Sequence, residues 1–336
     1  MSETRVERRD LRGVFATWDS AIIALTVVVL LIASFAVDNF GTGRNFTFMV
    51  LDLMPIILVA LPMTFIIITG EIDLSVASTL GLTSSLMGWF WNQGLSIETI
   101  IPLCIVIGAV AGVLNGFLIT GLGLPSLAVT IGTLALYRGL AFVVLGDGAV
   151  ADFPFNYTGW VTGTIGDGPV PNVLILIVVL ALIFGVVLHA TPFGRSLYAI
   201  GANAQAAHFS GIRVARTKFW LYVVSGAVSG LVGVLWTLRY SSARADNGAG
   251  LELAVVAAVL LGGVSIFGGK GSLPGVLAGV VLLAALQNAL RLEDVSGQAL
   301  NIVTGVLLVL SVLLPNIVNG IRGSWQRRKV RQAAAH

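Results

Sequence analysis

Apolar residues in this chain come in long runs divided by short polar or glycine-rich breaks, and the runs recur from near residue 20 to the C-terminal region. Crossing about 30 Å of hydrocarbon at about 1.5 Å per residue takes about 20 apolar residues. Runs of that order lie near 20 to 37, 47 to 69, 76 to 91, 100 to 119, 127 to 145, 172 to 189, 219 to 238, 252 to 268, 273 to 290 and 300 to 318, the third being short. The pattern predicts an all-α integral membrane protein, a polytopic bundle of about ten transmembrane helices. Residues 1 to 336 then form a single transmembrane domain, because such a bundle needs no separate aqueous core. The first run carries Ser34-Phe35-Ala36, a small-x-small cleavage pattern, but it exceeds a signal peptide's apolar region and is expected to be retained.

Composition agrees with a lipid solvent: 57% of the 336 residues are hydrophobic and 10% charged, against about 25% charged in a soluble domain. The single cysteine, Cys104, sits inside an apolar run, so this chain alone builds neither a disulfide framework nor a thiolate metal site. A pI near 9.3 could suggest nucleic acid, but the basic residues collect beside apolar runs, which is a sign of orientation. With ten spans, one side holds Arg5, Arg8, Arg9, Arg12, Arg195, Arg213, Arg216, Lys218, Lys270, Arg322, Arg327, Arg328, Lys329 and Arg331. The other side holds Arg44, Arg239, Arg244 and Arg291. Basic segments resist translocation, so both termini are expected in the cytoplasm.

Two connections exceed a tight turn. The outer one, 146 to 171, mixes Gly, Asp and Pro with Phe153, Phe155, Tyr157 and Trp160, as a loop lying at the interface would. The cytoplasmic one, 190 to 218, contains Asn203, which can cap a short helix through Phe209, and Gly211, which can end it.

Polar groups inside apolar runs are costly and persist when paired or wet. They are Asp52, Glu71, Asp73, Asn115, Arg138, Gln287 and Asn288. Gly70-Glu71-Ile72-Asp73-Leu74-Ser75 reads as a hinge whose freed backbone must face protein or a watery cavity. Glu71, Asp73 and Ser75 either line that cavity or tie the hinge to neighbouring helices, and Arg138 and Asp52 could neutralise one another. Gly108, Gly112 and Gly116, spaced as G-x-x-x-G, and Gly275, Ala278 and Gly279 permit close helix approach. Segments 68 to 87 and 260 to 282 share an apolar run, a glycine-containing hinge and a small-residue run, which suggests two internally related halves.

No energy-harvesting or catalytic motif is present. Gly269-Lys270 is followed by Gly271, and the upstream position a Walker A loop reserves for glycine holds Val264. His189, His208 and His336 are scattered, so neither a metal site nor a catalytic residue is proposed.

Four stretches carry a family resemblance: Gly70-Glu71-Ile72-Asp73-Leu74-Ser75-Val76; 191 to 212; Ser241-Ser242-Ala243-Arg244-Ala245-Asp246-Asn247; and Leu260-Leu261-Gly262-Gly263-Val264-Ser265-Ile266-Phe267-Gly268-Gly269-Lys270-Gly271-Ser272. With them the chain resembles the ribose-type sugar permeases of ABC importers over nearly its whole length, and within these the rhamnose and autoinducer-2 permeases. The resemblance implies a coupling helix within 191 to 212, carried by Gly194, Arg195, Gly201, Ala202, Asn203, Ala206, Ala207, Ser210 and Gly211. It also implies a cytoplasmic ABC ATPase that binds ATP and Mg, a periplasmic sugar-binding protein, and a second permease subunit, identical or homologous. The setting is a bacterial inner membrane, with lipid and no nucleic acid as partner, and no cofactor on this chain. The expected cargo is rhamnose or a related simple sugar, with autoinducer-2 and ribose as alternatives. The family more often has Gly-Gly-Ile-Asp at the hinge, and Glu71 departs from it. Sugar hydroxyls need mixed donors and acceptors, so Asn115, Thr130, Thr133, Gln287 and Asn288 are the pathway candidates. The rival readings are an ion-coupled transporter using Asp52, Glu71 and Asp73, and an intramembrane enzyme.

Overall fold

A computed structural model of the protein describes residues 18 to 311 and residue 313. The chain runs α1 (Trp18–Ala36), α2 (Gly43–Ile68), α3 (Val76–Asn92), α4 (Ile97–Thr120), α5 (Ser126–Leu145), β1 (Ala149–Val150), α6 (Phe155–Thr162), α7 (Val173–Ala190), α8 (Pro192–Ala202), α9 (Ala204–Phe209), α10 (Val214–Tyr240), β2 (Ala243–Arg244), α11 (Leu251–Leu261) and α12 (Leu273–Leu292). A further helix, α13, spans Gly297–Ser311. Seven helices, α1, α2, α4, α5, α7, α10 and α12, are long and apolar enough to cross a membrane. The short third span becomes α3, and the tenth becomes α13, whose predicted continuation to 318 lies outside the described residues apart from residue 313. The basic residues at both extremes of the chain also lie outside them.

The eighth predicted span needs correction. The apolar run read as a span from 252 to 268 is helical only over Leu251–Leu261. The chain approaches that half-helix as extended and turning backbone, beginning where Ser241 takes a left-handed φ of 46°. β2 pairs antiparallel with β1, and the strand then descends beside α3. A Cβ on Gly88 would touch Ala243, Asn247 donates to Ser84 Oγ at 2.8 Å, and a Cβ on Gly248 would meet Leu80.

The position of α2 follows from its composition. It is apolar on every side, so it is stable only where other helices surround it, and nearly all residues from Met49 to Ile68 are buried. The helices α1, α4, α5 and α7 instead turn side chains such as Leu31, Val110, Val143 and Leu182 outward. Such a girdle would be anomalous in water and is the ordinary outer surface of a protein in lipid. The glycine spacing in α4 has the predicted packing role. A Cβ on Gly112 would lie 2.2 Å from Tyr222 O, and one on Gly226 would lie 2.1 Å from Gly108 O, so α4 and α10 cross backbone to backbone.

The two ends of the bundle differ. At one, the junction end, α8 lies against the end of α2 and the loop that follows α11, with α9 beside α8 and the start of α10. At the other, the loop end, residues 146 to 171 fold over the helices. Phe153 is buried beside Trp91, Thr47 donates to Pro169 O at 2.6 Å, and Tyr157 bonds Glu98.

Arg138 and Asp52 do not pair. Arg138 donates to the carbonyls of Ala245 and Asn247, where non-helical backbone leaves acceptors without helical partners, and to that of Ala77 in α3. Asp52 instead binds Arg239 and Arg291. Arg239 also donates to Leu51 O, the carbonyl that Pro55, lacking an N–H, leaves unpaired inside α2.

Candidate functional site

Three of the four family-bearing stretches converge at the junction end. α2 ends in a six-to-one turn: Glu71 N donates to Ile66 O at 3.2 Å across Gly70, whose φ is 80°. α11 ends the same way, with Val264 N donating to Val259 O at 3.3 Å across Gly263, φ 91°. The two hinges touch directly, since Gly269 N donates to Ile68 O at 2.8 Å. Gly201, near the end of α8, lies over that bond, where a Cβ would come within 1.9 Å of Ile68 O and 2.3 Å of Gly269 N. Only glycine fits. Tyr198, one turn earlier, donates to Gly271 O at 2.8 Å. Burial raises its phenol above the ordinary value, so it remains a protonated donor at physiological pH.

α9 forms as its sequence predicts. Asn203 Oδ1 accepts from Ala206 N at 2.9 Å, the helix ends at Phe209, and Gly211 turns the chain with φ 88°. The residues assigned to coupling divide by the way they face. Arg195, Ala202, Asn203, Ala206, Ser210 and Gly211 are exposed, with Phe209 projecting beside them. Gly194, Gly201 and Ala207 face inward, and a Cβ on Gly194 would strike Leu188 O at 1.9 Å. One set presents a surface and the other seats it.

The hinge is held by one stripe of α10, on which Lys218, Tyr222 and Ser225 follow at helical spacing. Lys218 pairs with Glu71. Tyr222 donates to Ile72 O at 3.4 Å and Ser225 to Asp73 Oδ2 at 2.9 Å. Asp73 Oδ1 accepts from Ser75 N at 3.0 Å and Ser75 Oγ at 2.6 Å, closing a turn that leads into α3. Glu71 is absent from the residues with left-handed backbone, so the departure from a second glycine leaves the turn intact and adds an ion pair. A cavity of about 630 Å³ opens beside this pair, with Gln205 and His208 on its other wall.

The pathway candidates are scattered. Asn115 donates to Ser75 Oγ at 2.8 Å, Thr130 to Ser126 O at 2.9 Å and Thr133 to Val129 O at 3.1 Å, all buried in the bundle. Asn288 exchanges hydrogen bonds with Asn45, which joins α12 to α2. Gln287 donates to Thr304 at 3.0 Å and lines a cleft of about 360 Å³ at the loop end. Sequence reasoning missed Trp236, Tyr240 and Arg239 in that cleft. Their signal was available as an i, i+3, i+4 group at the end of a span.

The family described as branched-chain amino acid transport system / permease component matches residues 45–312. The autoinducer 2 import system permease protein LsrD of Yersinia pseudotuberculosis serotype O:1b (strain IP 31758) is 33% identical over 327 residues, covering 95% of this chain and 98% of that protein. The protein of the same name from Yersinia enterocolitica serotype O:8 / biotype 1B (strain NCTC 13174 / 8081) is 34% identical over 302 residues, covering 88% of this chain and 91% of its own length. No solved structure matches.

Proposed function

The chain belongs to this permease family, among the ribose-type sugar permeases of ABC importers, and from that premise we propose that it forms half of the membrane pathway through which autoinducer-2 enters the cell. The import system named for its relatives favours that cargo over the rhamnose expected first from sequence, and ribose and rhamnose become the comparison ligands. The observation that carries the mechanism is the exposed, Asn203-capped α9, seated through Gly201 on both hinges at once. A short rigid helix so mounted passes an external push to the bundle.

A cytoplasmic ATPase supplies that push by binding ATP with Mg²⁺. A binding protein delivers the ligand, and a second permease copy or homologue completes the channel. Charge supports the orientation. Among the described residues the junction end carries Arg195, Arg213, Arg216, Lys218 and Lys270, against Arg44, Arg239, Arg244 and Arg291 at the loop end. An ion-coupled mechanism finds less support, because Asp52, Glu71 and Asp73 are all engaged by protein partners.

The test is reconstitution of the complete transporter with its binding protein in vesicles, followed by uptake of autoinducer-2, ribose and rhamnose. ATP-dependent uptake of autoinducer-2 is expected. Uptake by the permease alone, driven by an ion gradient, would refute the reading.

A further inference from the structure

The segment Ser241 to Asn247, one of the four that mark the family resemblance, takes no part in the junction. It forms one wall of the loop-end cleft. Non-helical backbone at membrane depth survives only where protein buries it or where it lines a watery cavity, and broken spans of this kind mark solute sites in transporters. The segment does both. Its carbonyls at Ala245 and Asn247 face Arg138 on one side, while Asp246, Asn247 and Gly248 border the cleft on the other.

The cleft gathers groups from five elements: Asp52 of α2, Trp236 and Tyr240 of α10, Asp246 of the turn after β2, Ala254 of α11, and Gln287 with Arg291 of α12. Its two carboxylates are already engaged by three guanidinium groups. Asp52 binds Arg291 at 2.6 Å, and Asp246 binds Arg244 at 2.8 Å. Arg239 lies beneath, its side chain 9% exposed, held by Asp52 and Leu51 O and stacked 4.7 Å from the centre of the Tyr240 ring. A ligand ammonium group, as in an amino acid, would have to displace a guanidinium from Asp52 or Asp246. An uncharged ligand with hydroxyls finds carboxylate and amide acceptors beside guanidinium and amide donors. The rings of Trp236 and Tyr240, their centres 5.3 Å apart and their planes tilted by 49°, offer apolar faces to C–H bonds. The volume, about 360 Å³, falls in the range of small-molecule sites.

We infer that this cleft is a receiving subsite for a small, uncharged, hydroxyl-rich ligand, occupied after release from the binding protein and before passage along α2. The inference rests on the importer reading and specifies where within it the ligand is recognised. Branched-chain amino acids, the cargo in the family's description, carry two opposite charges and no hydroxyl group. They should be rejected.

The test uses the complete transporter carrying Ala249→Cys, a small substitution at an exposed cleft position, with buried Cys104 as a quiet background. A membrane-impermeant thiol reagent labels the new cysteine from the loop side. Autoinducer-2, ribose or rhamnose should slow labelling, whereas leucine should not. Trp236→Ala and Gln287→Ala should each reduce both protection and uptake roughly tenfold, and Trp236→Phe should restore both. Folding is read separately from the thermal midpoint of each purified complex. Protection by leucine alone, or wild-type protection in Trp236→Ala and Gln287→Ala complexes with native midpoints, overturns the inference. The two readings also fail separately. Protection without ATP-driven import leaves the cleft and sinks the importer, while import without protection does the reverse.

Discussion

Replacing Gly201 by alanine adds one methyl group at the point where α8 crosses both hinges. The new Cβ would lie 1.9 Å from Ile68 O, where real contacts do not fall below 3.0 Å, so a gap of roughly 1 Å must open. The opposing atoms are backbone at the end of α2 and in the loop after α11, and neither can swing aside as a side chain would. Overpacking costs about 1–3 kcal/mol, and a rigid backbone neighbour places this case near the upper figure. If the cost falls on the seated junction, the equilibrium between seated and unseated coupling segment shifts by up to about 150-fold. The expected result is loss of ligand uptake per ATP hydrolysed, measured in vesicles holding the complete transporter. Tyr198→Phe, which removes only the bond to Gly271, is the milder companion and should reduce coupling by about two- to tenfold. Because burial keeps this phenol protonated, wild-type coupling should show no step from it between pH 6 and 9. A Gly201→Ala transporter with a native thermal midpoint and wild-type stoichiometry would refute this reasoning.

The Glu71–Lys218 pair is about four-fifths buried on each side, so Glu71→Gln or Lys218→Met should each cost about 1–2 kcal/mol, between exposed and fully buried pairs. The exchange Glu71→Lys with Lys218→Glu should recover most of it, and thermal midpoints of the four proteins check this. Gly112→Val drives a side chain into Tyr222 O at the crossing of α4 and α10 and should lower the midpoint by at least the equivalent of about 3 kcal/mol; an unchanged midpoint would mean that these helices do not cross there. Cysteines placed at Gly211 and at Trp160 should label from opposite faces of sealed vesicles, with Gly211 on the ATPase side.

Local signals were legible and long-range pairings were not. The Asn203 cap and the Gly211 stop depend on residues a few positions apart, and α9 formed where they predict. The G-x-x-x-G spacing announced a close crossing, but the glycines opposite, Gly226 and Gly230, lie over a hundred residues away and carry no mark of their partner. Asp52 invited pairing with Arg138 because each is a lone charge in a span. The actual choice depended on Pro55, whose missing N–H leaves Leu51 O free and draws Arg239 to that spot. The broken span was hidden because its apolar run continues past Leu261. What stops the helix is the Gly262-Gly263 turn, and with it the packing of α11 on α12, where a Cβ on Gly275 would meet Gly262 O at 2.3 Å.

The junction and the hinge form one mechanical unit because a single continuous stretch of chain grips both. The connection 191 to 213 seats Gly201 on the ends of α2 and α11, then leads into α10, where Lys218, Tyr222 and Ser225 hold Glu71, Ile72 and Asp73 in order. A displacement of α9 therefore reaches the α2–α3 hinge by two routes, through Gly201 and through α10. It reaches the loop after α11 through Gly201 and Tyr198. α11 is the half-helix whose far end borders the loop-end cleft, and Trp236 and Tyr240 stand at the far end of α10. On the proposed function, motion entering at the junction would bear on two walls of the cleft, through α11, which ends close to the seat of α8, and through α10, whose side chains hold the hinge. Each helix would carry that displacement along its own axis to the loop end.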